Sequence, residues 1–526
     1  MKISKDAYRI LEDIVGFEFT SDDPVDMEAY RAGPEGYESS MGYGKVLSKI
    51  PGTVIMPRTT EEIQRIVKVC NRFKIPFIPV SSMWLIARAV PHVDNALLID
   101  LKRMETLKID DEGMFATVEP GVIYSQLQEQ AMQRGLYTTV PGGGSQVSVV
   151  ANMINCGYSP LNYRNGLPSR RVLGMEWVFP DGVVLRTGSF ALGDDPFWGE
   201  GPGPELRGLL RGAGPGWYGS FGICTKVAVK LLPFQTERLE PTGITPHTTL
   251  QLPPKRMRWI NFTLPTREAL LDAMYKVSEA EIGAAMTKVP VFFRSIARAG
   301  SKEEFWEQYS KENEETIASI HILRILLVGY TSEEQLEYED RVLTDIITEL
   351  GGKPRRTRPT DESWFKNADS AGMWMMTGSY VSIEYCHETL ESAAKQGEDF
   401  AELKQKFTPP LMVDYRDPGW FQSVELGHSA YFEFLIYYDP EVDTEKVDHC
   451  YLEAGKLNIE KGYWTSFLLS SQPVHMTGPA YGPNYHLWIG KLKETFDENN
   501  LSNPPGPYDQ DAFVEKAEWM HPLKNW

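Results

Sequence analysis

The chain has 526 residues, of which 42% are hydrophobic and 24% charged, as in ordinary globular proteins. That length exceeds what one hydrophobic core usually supports, so we expect two domains with additional terminal segments. The formal net charge of −19 disfavours binding to nucleic acid and to anionic membranes. The longest apolar runs, such as Ile322 to Tyr330, are too short to cross a bilayer, and residues 1–16 lack a signal-peptide core. The sequence therefore predicts a cytoplasmic protein without a membrane span.

The cysteines show no spacing typical of a metal or iron–sulfur site. They are Cys70, Cys156, Cys224, Cys386 and Cys450. Because no two of them form a CxxC pair, the sequence predicts neither a disulfide framework nor a metal centre.

The first 235 residues have a mixed pattern of helices and strands. A capping box at Thr59 to Glu62 opens a helix with one apolar face. The remaining predicted elements are strands at 75–80, 96–101 and 116–119, a helix through Leu127 and Ala131 that stops at Gly135, and a strand at 137–140.

A triple-glycine turn, Gly142-Gly143-Gly144, precedes the stretch SQVSVVANMINCGYSP, and a strand hairpin ending in Pro180-Asp181-Gly182 follows. Glycines let backbone N–H groups approach a ligand without a Cβ in the way, and a helix start offers unpaired N–H groups. An ordinary strand–helix turn is the alternative interpretation. The order of these features indicates a backbone lying against a flat cofactor, and favours a flavin.

After Pro233 the pattern changes to repeated strand–helix units. The three units are 258–264 before 268–281, 321–330 before 333–350, and 431–438 before 444–457. Units of this kind on one antiparallel sheet predict a second domain of α+β class.

Several motifs together resemble one family of flavoproteins. They are PGTVIMPRTTEEIQRIVKVCNRFKIPFIPV, NALLIDLKRM, VEPGV, the stretch from Gly142 to Pro160, FPDGVVLRTGS and YGSFGICTKVAVKLLP. This order resembles the FAD domain of the vanillyl-alcohol oxidase and 4-cresol methylhydroxylase (PCMH-type) family, and LWIGKLKETFDENNLSNPP resembles the final helix and turn of those proteins. The resemblance covers about residues 51–235 and the tail, and the cap only through its architecture.

The resemblance implies an α+β, two-domain PCMH-type FAD-binding fold with an antiparallel-sheet cap domain. The expected boundaries are an FAD domain at 1–235, a cap domain at 236–465 and a returning tail at 466–526. Carried over by motif, the residues that would contact FAD are Gly142, Gly143, Gly144, Ser148, Val149, Asn152, Gly157 and Ile223. Family members often pair into dimers or larger assemblies, so a homo-oligomer is also implied.

One loop departs from the family pattern. Where relatives have a glycine-rich pyrophosphate loop after the strand at 75–80, this chain has SSMWLIAR at residues 81–88, without glycine. Either the loop takes a different path, or Ser81, Ser82 and Arg88 contact phosphate through their side chains; loss of FAD is the other alternative.

The residues around the substrate also depart from the family. On the cap strand GHSAYFEFLIYYD, Tyr431 lies nearest the position of a covalent flavin link, with a strand-core role as the alternative. Asn155 stands where benzylic oxidases carry an acidic residue near flavin N5, and the phenolate clamp is missing from KGYWTSFLLS. An aromatic, methionine-rich set that includes Tyr380 predicts an apolar pocket.

We therefore predict an FAD-dependent oxidoreductase that removes a hydride from a C–H bond next to a hydroxyl or aromatic ring, with a small aromatic or apolar substrate. His475 is the candidate general base, a structural histidine being the alternative. The sequence leaves open whether oxygen or an electron-carrier protein reoxidises the flavin. Two rival functions are a 2-hydroxy-acid dehydrogenase subunit working with an iron–sulfur partner, and a non-catalytic scaffold that has lost FAD.

Overall fold

A computed structural model describes most of the chain. The described residues are 3–30, 50–83, 91, 93–142, 144–154, 157–193, 206–210, 219–234, 254–290, 295, 298–311, 320–355, 380–408, 419–438, 445–463 and 485–504.

The strands, in chain order, are β1 (Thr20–Ser21), β2 (Thr53–Ile55), β3 (Phe77–Val80), β4 (Leu97–Asp100), β5 (Leu107–Asp110), β6 (Phe115–Val118), β7 (Leu136–Tyr137), β8 (Val172–Val178), β9 (Val184–Arg186), β10 (Ile223–Lys230), β11 (Leu232–Pro233), β12 (Met257–Leu264), β13 (Ala285–Lys288), β14 (His321–Val328), β15 (Lys353–Arg355), β16 (Tyr380–His387), β17 (Trp420–Val424) and β18 (Ser429–Tyr437).

The helices are α1 (Lys5–Val15), α2 (Pro24–Ala29), α3 (Thr60–Phe73), α4 (Tyr124–Met132), α5 (Val149–Ile154), α6 (Asn162–Asn165), α7 (Leu206–Leu210), α8 (Arg267–Glu279), α9 (Lys302–Ser310), α10 (Glu333–Glu349), α11 (Leu390–Gln405), α12 (Glu445–Lys461) and α13 (Tyr485–Phe496). Short 3-10 turns lie at Phe17–Phe19, Leu101–Arg103, Pro168–Arg171, Gly188–Ala191 and Pro254–Arg256.

Two larger sheets and the two-stranded pair of β7 with β11 build the described N-terminal half. The first has the order β1-β2-β4-β3, with β2, β4 and β3 parallel, and α3 packs its apolar face against it. Helix α3 begins because the Thr59 hydroxyl accepts a hydrogen bond from the backbone N–H of Glu62, and it ends at Lys74 in a left-handed conformation with φ of 54°. The second sheet is antiparallel, with the order β5-β6-β10-β8-β9, and α4 and α5 complete its core.

A seven-stranded antiparallel sheet with the order β15-β12-β14-β13-β17-β18-β16 forms the C-terminal half. Helices α8, α10, α11 and α12 cover one of its faces and share a core with Phe262, Ile325 and Phe434. The opposite face meets the N-terminal half, where Leu326 and Val328 pack with Tyr137, Leu161 and Phe234. The antiparallel-sheet α+β architecture predicted from sequence for this half is therefore confirmed.

Among the described residues, the cap contains a fourth strand–helix unit that the sequence pattern did not predict. The three predicted units correspond to β12 with α8, β14 with α10, and β18 with α12, and the fourth is β16 with α11. The prediction of a strand at 137–140 is wrong beyond Tyr137, since the observed strand is Leu136–Tyr137. The backbone N–H of Thr138 donates to the Gln128 side chain at 2.8 Å and not to a neighbouring strand.

The C-terminal tail returns to the first sheet. The backbone N–H of Phe77 donates to the carbonyl of Leu501 at 2.8 Å, and the N–H of Asn503 donates to the carbonyl of Phe77 at 2.7 Å. Residues after α13 therefore extend the exposed edge at β3, about 420 residues away along the chain.

Candidate flavin site

The glycine turn is fastened to the segment that follows α5. The backbone N–H of Gly142 donates to the carbonyl of Tyr158 at 2.8 Å, and a Cβ at Gly142 would touch the Tyr158 ring at 3.5 Å. Gly144 has φ of +117°, a conformation that side chains disfavour. Gly144 therefore requires glycine for its backbone conformation, whereas a side chain at Gly142 would meet only an ordinary contact. Gly143 lies outside the described residues.

Ser148 and Ser82 meet at the start of α5. The Ser148 hydroxyl donates to the carbonyl of Pro120 at 2.7 Å and accepts from the N–H of Ala151 at 3.3 Å. The backbone N–H of Ser148 donates to the Ser82 hydroxyl at 3.0 Å, and Val149 next to it is buried. The fold thus brings together the loop at 81–83 and the helix start. The hydroxyl of Ser148 caps the helix, and Ser81 is half-buried beside Ser82.

Asn152, Tyr124 and Gly157 form a tightly packed group behind the turn. The Asn152 amide Nδ2 donates to the Tyr124 hydroxyl at 2.8 Å, and the Gly157 N–H donates to the Asn152 carbonyl at 3.0 Å. Burial raises the pKa of Tyr124 above its ordinary value, so the hydroxyl stays neutral. A Cβ at Gly157 would lie 1.5 Å from Asn152 Oδ1, so only glycine leaves the amide in place.

Ile223 begins β10 directly after a strained glycine. Gly222 has φ of +104°, and a Cβ there would lie 2.1 Å from the carbonyl oxygen of Val178. The Gly222 N–H donates to the Ser502 hydroxyl at 3.1 Å, so the returning tail holds this turn. The backbone around Ile223 is consequently fixed from both sides.

Two cap residues lie directly on this region. The buried ring of Tyr431 stacks on the ring of Tyr158 with centroids 3.5 Å apart and an angle of 8°. Gln422, opposite Tyr431 in the register, donates from Nε2 to the carbonyl of Ser159 at 3.2 Å. Trp420 meets Tyr158 edge to face at 6.5 Å. The cap therefore contacts the stretch from Gly157 to Ser159 through an aromatic and largely uncharged surface.

The residues present fit a polar cofactor. The buried hydroxyls of Ser125, Thr138 and Thr139 have no hydrogen-bond partner among the described residues, and all three lie on the segments that lead to the glycine turn. Unpaired buried hydroxyls are costly unless a ligand or water satisfies them. A bound FAD would accept hydrogen bonds from the backbone of the glycine turns and would satisfy the nearby buried hydroxyls.

Several predicted site residues lie outside the described residues: His475, Asn155, Gly143 and Arg88. Tyr380 begins β16, opposite Tyr437 in the register. Sequence reasoning missed Tyr158 and Gln422. Tyr158 directly follows Gly157 in the stretch already singled out, whereas Gln422 lies on β17, a strand that was not predicted.

The described residues hold no group of three or more His, Cys, Asp or Glu side chains placed to bind a metal ion. Among the same residues, no helix has the length and apolar character that a membrane crossing requires.

Comparisons with known proteins agree with this geometry. Residues 51–188 match a family model described as an FAD binding domain. The flavoprotein subunit of 4-cresol dehydrogenase [hydroxylating] from Pseudomonas putida is 22% identical over 508 residues, which cover 88% of this chain and 90% of that protein. Glycolate oxidase subunit GlcD from Bacillus subtilis is 30% identical over 214 residues, covering 38% of this chain and 43% of that protein.

Among solved structures, p-cresol methylhydroxylase with substrate bound has a TM-score of 0.73 at 20% identity, covering 96% of both chains. The fold of this chain is therefore of PCMH type, and FAD is its cofactor. The alternative of a scaffold that has lost FAD is set aside on the same findings.

Proposed function

From the premise that this chain is a flavoprotein of the vanillyl-alcohol oxidase and 4-cresol methylhydroxylase family with FAD as its cofactor, we propose that it oxidises a small aromatic or apolar substrate. The bond broken is a C–H bond next to a hydroxyl group or an aromatic ring. FAD supplies the hydride acceptor when bound. The chain contributes binding, orientation and exclusion of water.

The contact between Tyr158, Tyr431 and Trp420 is the observation that carries this proposal. These side chains are apolar on their ring faces, and Tyr431 is fully buried where the cap lies on the flavin-binding stretch. Aromatic side chains of this kind favour flat apolar ligands.

The roles of individual side chains follow from their positions. Gly142, Gly144, Gly157 and Ile223 would present backbone to FAD, because each lies in a turn or strand start held by named hydrogen bonds. Ser82 would position the start of α5. His475 stays the predicted base, and Tyr431 the predicted site of a covalent flavin link.

The second candidate function is a 2-hydroxy-acid dehydrogenase subunit. The 30% identity to a glycolate oxidase subunit favours it, although that match covers 38% of this chain. Because one relative over nearly the whole length is named a flavoprotein subunit, we also propose that an electron-carrier protein reoxidises the flavin. A homo-oligomer is proposed on family likeness alone.

Anaerobic reduction of the bound flavin separates the two functions. We expect a 4-alkylphenol or a benzylic alcohol to bleach the oxidised-flavin absorbance, and D-lactate or glycolate to leave it unchanged. Bleaching by the 2-hydroxy acids alone would overturn the proposal in favour of the second candidate. Trp420→Leu should slow bleaching by the aromatic substrate about tenfold, since it removes one wall. Trp488→Leu, at an exposed position on α13, is the matched control.

A further inference from the structure

Arg171 carries a buried charge that no described side chain neutralises. It ends the 3-10 turn Pro168–Arg171 and is 6% exposed. Its Nε donates to the carbonyl of Asn165 at 3.1 Å, while its Nη1 has no hydrogen-bond partner among the described residues. Burial lowers the pKa of Arg171 from its ordinary value, yet a guanidinium stays protonated in proteins. A buried cation without a counter-charge is strongly unfavourable, so something is expected to complete this arrangement.

A second donor without a partner among the described residues belongs to Asn165, the residue whose backbone carbonyl accepts from Arg171. The Oδ1 atom of Asn165 accepts from the Tyr137 hydroxyl at 3.1 Å. The Nδ2 atom of Asn165 is then left as a buried donor without a partner among the described residues. Arg171 and Asn165, which a hydrogen bond joins, thus each have one buried donor without a partner among the described residues, and the donor of Arg171 is charged.

The surroundings are aromatic, and they contain a second guanidinium and one buried carboxylate. Tyr137 stacks on Tyr330 of the cap with centroids 5.7 Å apart, and the Arg164 guanidinium lies 5.3 Å from the Tyr330 ring. The Glu339 carboxylate is already engaged, because it accepts from the N–H of Gly283 at 2.9 Å and from the Gln335 amide at 2.8 Å. The guanidinium groups of Arg171 and Arg164, the Glu339 carboxylate and the Asn165 amide therefore lie where the FAD domain meets the cap.

We propose that Arg171 and Asn165 form a buried site for one small monovalent anion at the junction of the two domains. The ligand is either a free halide or the carboxylate of a small acid, since both offer one negative charge to a guanidinium and an amide N–H. A water molecule would satisfy the donors but leave the charge unpaired. The site is independent of the proposed substrate.

Thermal unfolding of the FAD-loaded protein tests the site. Sodium chloride replaces the sodium salt of a bulky sulfonate at constant ionic strength, and sodium formate and sodium glycolate are tried in turn. A ligand that binds only the folded state raises Tm, and we expect a saturable rise of about 1–3 °C. A response to chloride and formate alike identifies a free small anion as the ligand, whereas a response only to glycolate identifies the carboxylate of a hydroxy acid.

Three variants make the result specific. Asn165→Asp places a carboxylate beside Arg171, so we expect a Tm at least equal to that of the anion-saturated wild type and no further response to anions. Arg171→Met should also lose the response. Arg170→Met removes the neighbouring arginine, which pairs with Glu425 at the surface, and should keep it.

The proposal is overturned if no anion raises the Tm of the wild type by more than it raises the Tm of Arg171→Met. It is equally overturned if Asn165→Asp keeps the full anion response, because the added carboxylate would then lie outside the site. Anomalous diffraction from a bromide-soaked crystal locates the ion directly, and density only for water beside Arg171 would reject it.

Discussion

Gly157 shows how one residue determines the shape of the stretch that we predict to bind the flavin. Its hydrogen atom faces the Asn152 side chain, and that amide in turn bonds the buried Tyr124 hydroxyl. Sequence alone identified Gly157 by likeness to a family motif. The reason for the glycine is a side chain five residues earlier in the chain, a contact that no local pattern reveals.

Gly157→Ala should therefore displace Asn152 and weaken FAD binding. We expect a loss of about 1–3 kcal/mol in the free energy of unfolding, because the new methyl group has no space. The FAD-to-protein ratio after purification and the Tm measure both effects. Gly208→Ala is the control, since a Cβ there meets nothing within 4 Å and alanine favours the helix. Equal FAD content in both variants would contradict this account.

His387 in the cap is a second residue with a measurable consequence. It is buried, with Nδ1 at 2.9 Å from the Ser392 hydroxyl and Nε2 at 2.5 Å from the Gln396 side chain. Burial lowers the pKa of His387 to about 4 from an ordinary value of 6.5. Its neutral form is thus part of the folded cap.

The stability of the cap should consequently fall in acid. The unfolded chain takes up a proton as the pH falls through about 6.5, whereas the folded chain resists until about pH 4, so stability is complete above this window and is lost within it. The full effect is about 3 kcal/mol. Urea unfolding at pH 7 and pH 4.5 should show the loss in wild type and in His428→Gln, where the histidine is exposed, and a smaller loss in His387→Gln. Identical losses in all three proteins would exclude His387 as the cause.

Helix α13 and the described residues after it, 485–504 in all, bind to the N-terminal half and are called the clasp below. The buried Lys493 ammonium donates to the carbonyls of Ser220 and Ser502, both at 2.7 Å, and pairs with Asp497 at 2.6 Å. The Asp497 carboxylate also accepts from the N–H groups of Leu501 and Ser502. The clasp thereby reaches the turn that precedes Ile223.

Lys493→Met should release this clasp. The substitution leaves Asp497 buried without its partner, for which we expect a loss of about 3–5 kcal/mol in the free energy of unfolding. Urea unfolding followed by flavin fluorescence reports both stability and release of FAD. Lys491→Met, at an exposed position on the same helix, should cost less than about 1 kcal/mol. A cost for Lys493→Met as small as that of the control would show that the tail is not held this way.

Most elements could be predicted from sequence because their signals are local. The helix Thr60–Phe73 has its N-cap directly before it, at Thr59, and its apolar face within its own fourteen residues. The strands β12, β14 and β18 each have the alternating or continuous apolar pattern of a strand. The pattern of Tyr380–His387 was missed as a strand because its aromatic residues were interpreted as pocket lining. The two-residue strand Thr20–Ser21 exists only through its pairing with β2, which no local pattern encodes.

At the scale of the whole molecule, the predicted division into an FAD domain and a cap followed from length, the change of pattern after Pro233 and a family likeness. The contacts between the two halves did not. The hydrogen bond from Gln422 to Ser159 and the stacking of Tyr137 on Tyr330 depend on how two sheets dock, and residues that lie more than 150 positions apart carry no shared periodicity. Candidate site residues could thus be predicted on the FAD side better than on the cap side.

The visible absorption spectrum of the purified protein tests the central claim most directly. The account predicts a yellow protein with one FAD for each chain, held by the stretch from Gly142 to Ser159 beneath the cap. Acid precipitation then shows whether FAD is covalently linked. A yellow supernatant means dissociable FAD, whereas a yellow pellet that becomes colourless in Tyr431→Phe means a covalent link at Tyr431. A colourless protein that takes up no FAD on incubation with the cofactor would contradict the account.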